Sequence, residues 1–470
     1  MPSTIAIVLA AGKGKRMKSK LYKVLHPVCG QPMLGHVIAA VQAVQPDKTI
    51  VVVGHGADKV RSFLGEQIET VLQEEQLGTG HAVLMTKPLL HKLQGTTLVL
   101  YGDTPLIRPE TIERLIALHR QSNAAVTLLT AMIDEPHGYG RIVRDAADAI
   151  VAVVEEKDCT PEQKQIKEVN TGIYCFDNRK LFAALGQIRN DNAQQEYYLT
   201  DVIQVLQQQG EKIAACVLDD PTEAAGVNDR VALAEVEKLL RMRIIRQHML
   251  NGVTIVDPSS TYIDAGVRVG QDTVLLPGTT LYGTTSIGED CLIGPHSEIR
   301  DSMIGNGVHI KHSVLDQAKI GDKTTVGPFA YLRPGAKIGA GARIGDFVEI
   351  KNAAVGEGSK IPHLSYVGDA IIGNGVNFGC GAITVNYDGY HKHLTEVGDN
   401  AFVGSNVNLI APVKIGSGAY VVAGSTITHD VGENDLAIAR ERQITKPEYA
   451  NVLRARIKER TVNSRDEKQK

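Results

Sequence analysis

The sequence predicts two regions of different class, an α/β domain with a mostly parallel sheet followed by a parallel β-helix. Length, glycine distribution and a change of hydrophobic period support this prediction. The chain has 470 residues, more than one hydrophobic core usually holds, since cores stop growing at about 250–300 residues. Of its 46 glycines, 17 precede residue 251 and the other 29 lie between Gly252 and Gly432. We therefore expect the main boundary near residue 250.

Residues 1–228 alternate apolar runs with helical patterns, which is typical of a Rossmann-like α/β domain. Buried parallel strands are predicted at Ile5–Ala11, Thr49–Val53, Thr97–Leu100 and Ala125–Thr130. Intervening helices are predicted at Leu34–Val44 and Pro109–Gln121. Ligands of such sheets bind beyond the carboxyl ends of the strands, so we expect the chemistry in the loops that follow them.

A single helical pattern at Asp229–Leu250 predicts a connector between the two regions. Its glutamates come early and its arginines late, which suits the helix dipole. The charged tail, residues 441–470, predicts a short helix from Lys446 followed by a frayed end.

The hydrophobic period changes to six from about residue 251. Aliphatic–glycine pairs begin at Val269, Ile287, Ile293, Ile304, Ile320, Val326, Ile338, Ile344, Val355, Val367, Val397, Val403 and Ile415. Most neighbouring pairs are six residues or a multiple of six apart, which is typical of the hexapeptide repeats of a parallel β-helix. We expect the aliphatic side chains to point into the coil and the glycines to turn its corners, over residues 251–440.

Composition and charge argue against several classes of function. The formal net charge is −3, with 50 Lys+Arg against 53 Asp+Glu, and Trp is absent, so we expect neither a nucleic-acid partner nor a polybasic membrane surface. The run Ile5–Ala11 is too short for a membrane helix and follows no basic region, unlike a signal peptide. The six cysteines lack zinc or redox spacing. These features predict a cytoplasmic protein with reduced thiols.

A glycine loop follows the first predicted strand. It comprises Leu9, Ala10, Ala11, Gly12, Lys13, Gly14, Lys15, Arg16 and Met17, with Lys23 a short way on. Small residues let backbone N–H groups approach a phosphate chain, and cations neutralise it. The spacing matches neither a Walker loop nor a dinucleotide fingerprint. Taken alone, the loop is either a phosphate-binding loop or a plain strand–turn–helix connection.

This loop and several later segments resemble the sugar-1-phosphate nucleotidyltransferases. The matching segments are Leu9–Met17, Lys23–Leu25, Gln76–Ala82, Tyr101–Pro105, Gly138–Ile142, Val154–Glu155, Asn170–Gly172 and Gly226–Asn228. With the hexapeptide repeats added, the chain from Ile5 to about Arg440 resembles the bacterial bifunctional N-acetylglucosamine-1-phosphate uridyltransferase/glucosamine-1-phosphate acetyltransferase family. Lys15 and Tyr22 depart from the Thr and Pro usual there. Lys15 either tightens phosphate binding or, as we prefer, points to solvent.

The resemblance implies a uridyltransferase site in residues 1–228, with Arg16 and Lys23 as catalytic cations. UTP and the sugar would contact Leu9, Ala10, Ala11, Gly12, Gly14, Lys23, Gln76, Gly78, Thr79, Gly140, Glu155, Asn170 and Asn228. Asp103 and Asn228 would bind Mg²⁺, which prefers oxygen ligands, although Asp103 alone is equally well explained as a loop cap. In the reaction that the resemblance implies, the phosphate oxygen of N-acetylglucosamine-1-phosphate would attack the α-phosphorus of UTP and pyrophosphate would leave, which needs positioning and charge rather than covalent help.

Polar residues interrupt the aliphatic pattern in one part of the repeats. They are Arg333, Lys351, His363, Tyr366, Asn377 and Lys392. Coils repeat about every 18 residues, so Arg333 and Lys351 are predicted side by side. Such close like charges are costly unless an anion lies between them, and a sugar phosphate would fit. His363 could act as a base near neutral pH, although a lone histidine is more often a surface residue.

The resemblance implies an acetyltransferase site here, with His363 as the base. Glucosamine-1-phosphate would contact Arg333, Lys351, Tyr366 and Asn377, and acetyl-CoA would contact Cys380, Asn386, Tyr387, Lys392, Ser405, Ala423 and Arg440. The family is a homotrimer with left-handed coils, and Lys392 would come from a neighbouring subunit. Cys380 is expected to be structural, because direct transfer to the amine needs no thiol nucleophile. The product, UDP-N-acetylglucosamine, is a precursor of peptidoglycan and lipopolysaccharide.

Two other functions remain open from the sequence. One is a sugar-1-phosphate nucleotidyltransferase with a non-catalytic β-helix, and the other is a non-enzymatic scaffold with a ligand-binding N-terminal domain. The segment around His363 and the break in the repeat between Val385 and Glu396 argue against the first. Arg16, Lys23, Asp103 and Asn228 argue against the second.

Overall fold

The computed structural model describes residues 3–466, so the last residues of the chain, where a frayed end was predicted, lie outside the described part. The chain divides into two compact units, residues 1–286 and 287–470. Among residues 3–466, no helix has both the length and the apolar character that crossing a membrane requires.

The first unit contains a nine-stranded, mostly parallel sheet. Its strands, with the short β2–β3 hairpin, are β1 (Thr4–Ala10), β2 (Pro27–Val28), β3 (Gln31–Pro32), β4 (Lys48–Val53), β5 (Glu69–Leu72), β6 (Thr96–Tyr101), β7 (Val126–Met132), β8 (Gly140–Arg144), β9 (Ile150–Val154), β10 (Glu168–Asp177) and β11 (Ile213–Val217). The order is β11-β7-β10-β6-β1-β4-β5, with β8 on β10 and β9 on β8. Parallel pairing of β1 with β6 sets Leu9 opposite Tyr101, so the loops that follow both strands meet at one edge.

Helices cover both faces of this sheet, as the alternation of patterns predicts. They are α1 (Met33–Ala43), α2 (Ala57–Leu64), α3 (Thr79–Leu84), α4 (Lys87–Leu90), α5 (Pro109–Ser122), α6 (Asn178–Leu185), α7 (Asp201–Gln208) and α8 (Arg230–Leu250). Successive residues of β1 enter opposite cores: Ala6 and Val8 belong to one, and Ile5 and Ile7 to the other. The predicted strands and helices of this region are confirmed to within two residues.

The helix predicted at Asp229–Leu250 is observed as α8. Its N-cap is Asp229, whose carboxylate accepts hydrogen bonds from the backbone N–H groups of Val231 and Ala232, both at 3.0 Å. Val236 and Leu240 pack in the core of the first unit. The compact first unit therefore includes α8 and continues beyond it. The functional division at residues 1–228, 229–250, 251–440 and 441–470 stays a prediction.

Short parallel strands begin just after α8. Those of the first unit are β12 (Thr254–Ile255), β13 (Tyr262–Ile263), β14 (Arg268–Val269), β15 (Val274–Leu275) and β16 (Thr280–Tyr282), and β17 (Ser286–Ile287) lies at the unit boundary. Within the first unit, β12 pairs with β15 and β13 with β16. Each pair joins strands about one coil apart in sequence, which is the register of a β-helix.

The second unit continues this pattern as three parallel sheets. Its strands are β18 (Leu292–Ile293), β19 (Glu298–Arg300), β20 (Met303–Ile304), β21 (His309–Ile310), β22 (Val314–Asp316), β23 (Lys319–Ile320), β24 (Thr325–Val326), β25 (Tyr331–Leu332), β26 (Lys337–Ile338), β27 (Arg343–Asp346), β28 (Glu349–Lys351), β29 (Ala354–Val355), β30 (Lys360–His363), β31 (Tyr366–Gly368), β32 (Ala370–Ile372), β33 (Asn377–Phe378), β34 (Ile383–Val385), β35 (Thr395–Val397), β36 (Phe402–Val403), β37 (Asn408–Ile410), β38 (Val413–Ile415), β39 (Tyr420–Val421), β40 (Thr426–Ile427) and β41 (Leu436–Ala437). Every third strand belongs to the same sheet. The tail forms α9 (Tyr449–Asp466).

The repeat residues behave as the period predicts. The aliphatic members, such as Ile293 and Ile344, are buried inside the coil. The glycine that follows allows close stacking of coils: a Cβ at Gly356 would lie 2.4 Å from the carbonyl oxygen of Gly373. Stacking distance between coils, more than the turn itself, therefore explains glycine at this position.

Candidate functional sites

A cleft of about 880 Å³ opens beyond the carboxyl ends of β1 and β6 in the first unit. The predicted site residues that line it are Leu9, Ala10, Ala11, Gly12, Arg16, Lys23, Gln76, Gly78, Thr79, Asp103, Gly140, Glu155, Asn170 and Asn228. Gly14 does not line the cleft; it packs against Lys23. The structure thus brings the nucleotide, sugar and metal residues predicted for the first region into a single cavity.

The glycine loop packs tightly on one side and leaves space on the other. Gly14 has φ +58°, and a Cβ there would lie 2.6 Å from Cβ of Lys23, so glycine is required for the loop to reach the Lys23 turn. A Cβ at Gly12 would meet no atom within 4 Å. That open space, with Arg16 exposed beside it, is what a phosphate chain needs to approach the backbone.

Lys23 lies between the two predicted metal ligands. Its ammonium donates hydrogen bonds to the Asp103 carboxylate and, at 3.1 Å, to Oδ1 of Asn228. The two segments are held together because the backbone N–H of Val227 donates to the carbonyl of Asp103 at 2.9 Å. Two side-chain oxygens that converge on one cation are the donor set of a hard divalent ion, so these residues fit Mg²⁺ once the lysine shifts. No group of three or more His, Cys, Asp or Glu with metal-binding geometry occurs among residues 3–466.

The part of the cleft predicted to bind the sugar contains a buried carboxylate, Glu155, and a hydrogen-bonded amide, Asn170. Glu155 lies beside Gly140, and burial together with Asp158 and Asp201 raises the pKa of Glu155. Asn170 is buried, and its side-chain N–H donates to the Tyr174 hydroxyl at 2.6 Å. This fixed amide can present its remaining groups to a hydroxyl-rich ligand.

Sequence reasoning missed Gln73. It lines the cleft, is 3% exposed, and its side-chain N–H donates to the carbonyl of Gly78 at 3.0 Å. Gln76, which was predicted as a site residue, also lines the cleft, and its side-chain amide donates to the backbone carbonyl of Gln73 at 3.0 Å. Gln73 directly follows β5, a half-exposed strand whose pattern gave no strand prediction. Recognising β5 would have placed Gln73 at the carboxyl edge of the sheet.

The two departures from the resembled family have different surroundings. Lys15 is exposed at the cleft, which fits the preferred solvent orientation and leaves a phosphate contact within reach. The Tyr22 ring packs edge-on against His55, with centroids 5.4 Å apart, and lies so close to Gly56 that no Cβ fits there. Tyr22 is therefore held by the turn that precedes α2.

In the second unit, a cluster of cations lies on adjacent coils. Arg333 forms an ion pair with Glu349, Nη1 to Oε1 at 2.7 Å, which raises the pKa of Arg333. Contact with the Lys392 ammonium, helped by Arg333, lowers the pKa of Lys351. The predicted juxtaposition of Arg333 and Lys351 is thus observed. Such crowding of positive charge is relieved when an anion binds.

Lys392 reaches this cluster from its own chain. It lies in the loop between β34 and β35, where Tyr387 and Lys392 form an antiparallel bridge. Asp388 organises the loop by accepting hydrogen bonds from the backbone N–H groups of Tyr390 and His391 and from the His393 ring, which lowers the pKa of Asp388. The supply of Lys392 by a neighbouring subunit stays a prediction. Within a single chain, Lys392 already contacts Lys351.

Amide and hydroxyl groups border the cations. The Asn386 side chain donates to the Asp369 carboxylate and, at 3.5 Å, to the Tyr366 hydroxyl. Asn352 also donates to Asp369, at 2.6 Å. Glu349 and Asp369 were both missed from the sequence, because carboxylates on an exposed face carry no signal until the coils are stacked.

His363 makes a contact that the sequence did not reveal. Its Nδ1 lies 2.6 Å from Oδ1 of Asp346, and the two residues are in register on β30 and β27. The bond from His363 lowers the pKa of Asp346. Both side chains are part-exposed, 47% for His363 and 36% for Asp346, so the imidazole is open to a ligand.

The predicted acetyl-CoA residues occupy stacked turns and the inserted loop. The backbone N–H of Asn406 donates to the carbonyl of Cys380 at 2.8 Å, and Gly404 packs against Ala423. The turns that carry Cys380, Ser405 and Ala423 therefore lie in one column. The Arg440 side chain lies 3.8 Å from the position of a Cβ on Gly424. Tyr387 is exposed in the loop, and Asn377 lies in register with Lys360.

Profile comparisons divide the chain in the same way. A profile of the MobA-like NTP transferase domain matches residues 6–196. Profiles of the bacterial transferase hexapeptide match residues 317–352 and 395–429, and one of the hexapeptide repeat of succinyl-transferase matches residues 284–311.

Relatives cover almost the entire chain. The bifunctional protein GlmU of Geobacillus sp. (strain WCH70) is 56% identical over 453 residues, 96% of this chain and 99% of the relative. The GlmU proteins of Brevibacillus brevis and Listeria welshimeri are 55% and 53% identical over 95% and 96% of this chain, and over 97% and 99% of their own length. The chain belongs to the GlmU family.

Membership in the GlmU family confirms the resemblance and the fold class. The chain is a bifunctional transferase of UDP-N-acetylglucosamine synthesis, with a nucleotidyltransferase region and a left-handed β-helix of acetyltransferase hexapeptides. A non-enzymatic scaffold is thereby excluded, as is a nucleotidyltransferase whose β-helix has no catalytic role.

Proposed function

We propose that the 880 Å³ cleft of the first unit catalyses uridyl transfer and the cation cluster of the second unit catalyses acetyl transfer. The observation that carries the proposal is the grouping of residues: the glycine loop, Lys23, Asp103 and Asn228 share the cleft. UTP, N-acetylglucosamine-1-phosphate, glucosamine-1-phosphate and acetyl-CoA are the substrates.

In the first reaction, Arg16 and Lys23 neutralise the negative charge of the triphosphate and of the transferred phosphoryl group. The glycine loop supplies backbone N–H groups, and its open side at Gly12 admits the phosphate chain. Glu155 and Asn170 orient the sugar. The phosphate oxygen of the acceptor bonds to the α-phosphorus as the bond to pyrophosphate breaks, and positioning with charge neutralisation lowers the barrier.

Mg²⁺ is the metal that these side chains would hold. Asp103 and Asn228 supply its oxygen ligands, and their convergence on the Lys23 ammonium supports this assignment. The ion would add positive charge beside the phosphate groups. Lys23 exchanges its contact with Asp103 for one with the substrate phosphates.

In the second reaction, Arg333 and Lys351 bind the phosphate of glucosamine-1-phosphate, with Tyr366 and Asn377 beside the sugar. Lys392, which the resemblance assigned to acetyl-CoA, contacts the Lys351 ammonium and joins them at the phosphate. His363 takes a proton from the amine as it attacks the thioester of acetyl-CoA. The stacked turns at Cys380, Ser405 and Ala423, together with Asn386, Tyr387 and Arg440, border the coenzyme. The lowered pKa of Lys351 supports the phosphate assignment, since an anion among the cations removes their mutual repulsion.

We also propose that the protein works in the cytoplasm as a homotrimer. Its substrates are cytoplasmic phosphates and a thioester, and its six cysteines are free thiols.

The test is a reaction of the full chain with glucosamine-1-phosphate, acetyl-CoA, UTP and Mg²⁺, followed by mass spectrometry. We expect N-acetylglucosamine-1-phosphate when UTP is omitted and UDP-N-acetylglucosamine when all four are present. Asp103→Asn should stop the second product while the first still accumulates. Loss of both products in Asp103→Asn, with folding intact, would contradict the separation of the two sites.

A further inference from the structure

A carboxylate one coil from the proposed base carries a role that the family assignment does not supply. Asp346 is the last residue of β27 and His363 the last residue of β30, and parallel pairing puts them directly opposite each other. Oδ1 of Asp346 lies 2.6 Å from Nδ1 of His363. This is the only hydrogen bond of the His363 ring among residues 3–466, so Nε2 is free.

We propose that Asp346 is a positioning residue of the acetyl transfer, which holds His363 as the Nδ1–H tautomer with Nε2 aimed at the substrate amine. The inference rests on the proposed role of His363. A neutral imidazole has one N–H and one basic nitrogen, and the hydrogen bond at one nitrogen decides which is which. A carboxylate accepts but does not donate, so Asp346 keeps the proton on Nδ1 and leaves the lone pair on Nε2.

The backbone around Asp346 and His363 holds the two side chains in a fixed relative position. Asp346 and His363 lie on adjacent strands of one sheet, and the backbone N–H of Leu364 donates to the Asp346 carbonyl at 2.9 Å. Opposite strand ends stay in register, so the bond costs little ordering of the chain. Arg343 on the Asp346 strand and the turn of Cys380 in the following coil also border the pair.

The step is a direct acyl transfer. The amine nitrogen of glucosamine-1-phosphate bonds to the acetyl carbon while its proton moves to Nε2 of His363. The carbon–sulfur bond breaks, the coenzyme leaves as a thiolate, and the imidazolium returns the proton to that sulfur. The Asp346 carboxylate stabilises the imidazolium during the interval in which it carries both protons.

The test compares Asp346→Ala, Asp346→Asn and Asp322→Asn in the full chain. Asp346→Ala should lower kcat for acetyl transfer by about 10- to 100-fold with little change in KM, because orientation of the base matters in the transition state. Asp346→Asn keeps the shape of the side chain but can donate its amide N–H to Nδ1, so it no longer enforces the Nδ1–H tautomer and should lose at least as much kcat as Asp346→Ala. Asp322, which caps the Asn306 backbone N–H at 2.8 Å, provides a matched carboxylate control that should retain parental kcat.

A spectroscopic readout separates positioning from general stability. ¹⁵N NMR of the His363 ring should show the Nδ1–H tautomer in the parent and a tautomer mixture in Asp346→Ala. Parental kcat in Asp346→Ala, or an unchanged tautomer, would overturn the inference. If His363→Ala retains acetyl transfer, the proposed base is wrong. If His363→Ala loses acetyl transfer but Asp346→Ala does not, only the role of Asp346 is rejected.

Discussion

The two sites solve the same problem, binding of phosphorylated sugars, with opposite surroundings. In the first unit, Lys23 and Asp103 are 14% and 15% exposed and line a cavity. In the second, Arg333 and Glu349 are 36% and 39% exposed on the face of a β-helix. In the enclosed site, Lys23 has a carboxylate and an amide partner. In the open site, Arg333 pairs with Glu349, but the Lys351 ammonium lies against that of Lys392.

This difference follows from what each fold can bury. A mostly parallel sheet converges its strand ends on one edge, so loops from distant segments enclose a volume. A β-helix fills its interior with aliphatic side chains, and its polar residues therefore remain on the outer face. Enclosed charges need partners before the ligand arrives because desolvation is costly. Exposed charges remain hydrated and therefore need no protein partner before the ligand binds.

The largest expected effect tests the enclosed site. Arg16→Ala should lower kcat for uridyl transfer by about 10³-fold or more, because it removes a cation that faces the charge of the transferred phosphoryl group. Acetyl transfer should be unchanged. Lys20→Ala removes an exposed cation shortly after the same loop, outside the cleft lining, and should keep both activities. Equal loss of both activities in Arg16→Ala would indicate a folding defect instead.

The open site should respond most to loss of its base. His363→Ala should lower kcat for acetyl transfer by about 10²–10⁴-fold, the usual cost of losing a general base, with KM little changed. Uridyl transfer by the same variant should match the parent. His309→Ala, an exposed histidine on β21 of the same sheet, is the matched control. Near-parental acetylation by His363→Ala would remove this residue from the mechanism.

A smaller effect should distinguish the open site by its sensitivity to salt. Lys351→Ala should raise KM for glucosamine-1-phosphate about tenfold, the value of a hydrogen bond to a charged group. In the parent this KM should rise with ionic strength, since exposed charges are screened, and the rise should be weaker in the variant. Steady-state kinetics at low and high salt measures both, with Lys337→Ala on β26 as control. A salt response unchanged by Lys351→Ala would contradict phosphate binding at the cluster.

How much was predictable differs between the two sites for a physical reason. The glycine loop and Asp103 follow strands that the sequence displays as continuous apolar runs, whereas the other cleft residues, such as Gln76, Glu155 and Asn170, were named only through the family resemblance. Gln73 was missed because β5 is half-exposed and lacks such a run. The apolar runs alone therefore predicted only the part of the cleft that follows β1 and β6.

In the open site, the side chains that meet are decided by the register between stacked coils. The repeat period predicts the average length of a coil but not the length of each one. Arg333 and Lys351 were placed together because their spacing equals the usual coil of 18 residues. The coil that joins Ile344 to Ile361 has 17 residues, and this shorter coil sets Asp346 opposite His363. A one-residue difference in coil length decides which side chains meet, so Asp346 could be found only in the structure.

The smallest expected effect concerns carboxyl groups, which the two units treat in opposite ways. Hydrogen bonds lower the pKa of Asp346 and Asp388 on the β-helix. In the first unit, burial together with Asp191 and Asp158 raises the pKa of Asp201 from 3.8 to about 6. A carboxyl whose folded-state pKa is raised binds its proton more tightly in the folded protein. Its contribution to stability is complete below pH 4 and is lost as the pH rises through 6.

Asp201→Asn, at the start of α7, should therefore match the parent near pH 4 and exceed it in stability at pH 7.5. We expect about 1–2 kcal/mol, because the half-buried site keeps part of its hydration. Urea unfolding of the full chain at both pH values measures the difference. Asp58→Asn, an exposed carboxylate in the first turn of α2, controls for the loss of a helix-dipole contact and should show no such gain with pH. If Asp201→Asn gained the same stability at both pH values, burial would not control the pKa of this carboxyl. The two units would then not differ in how they shift the pKa values of their carboxyl groups.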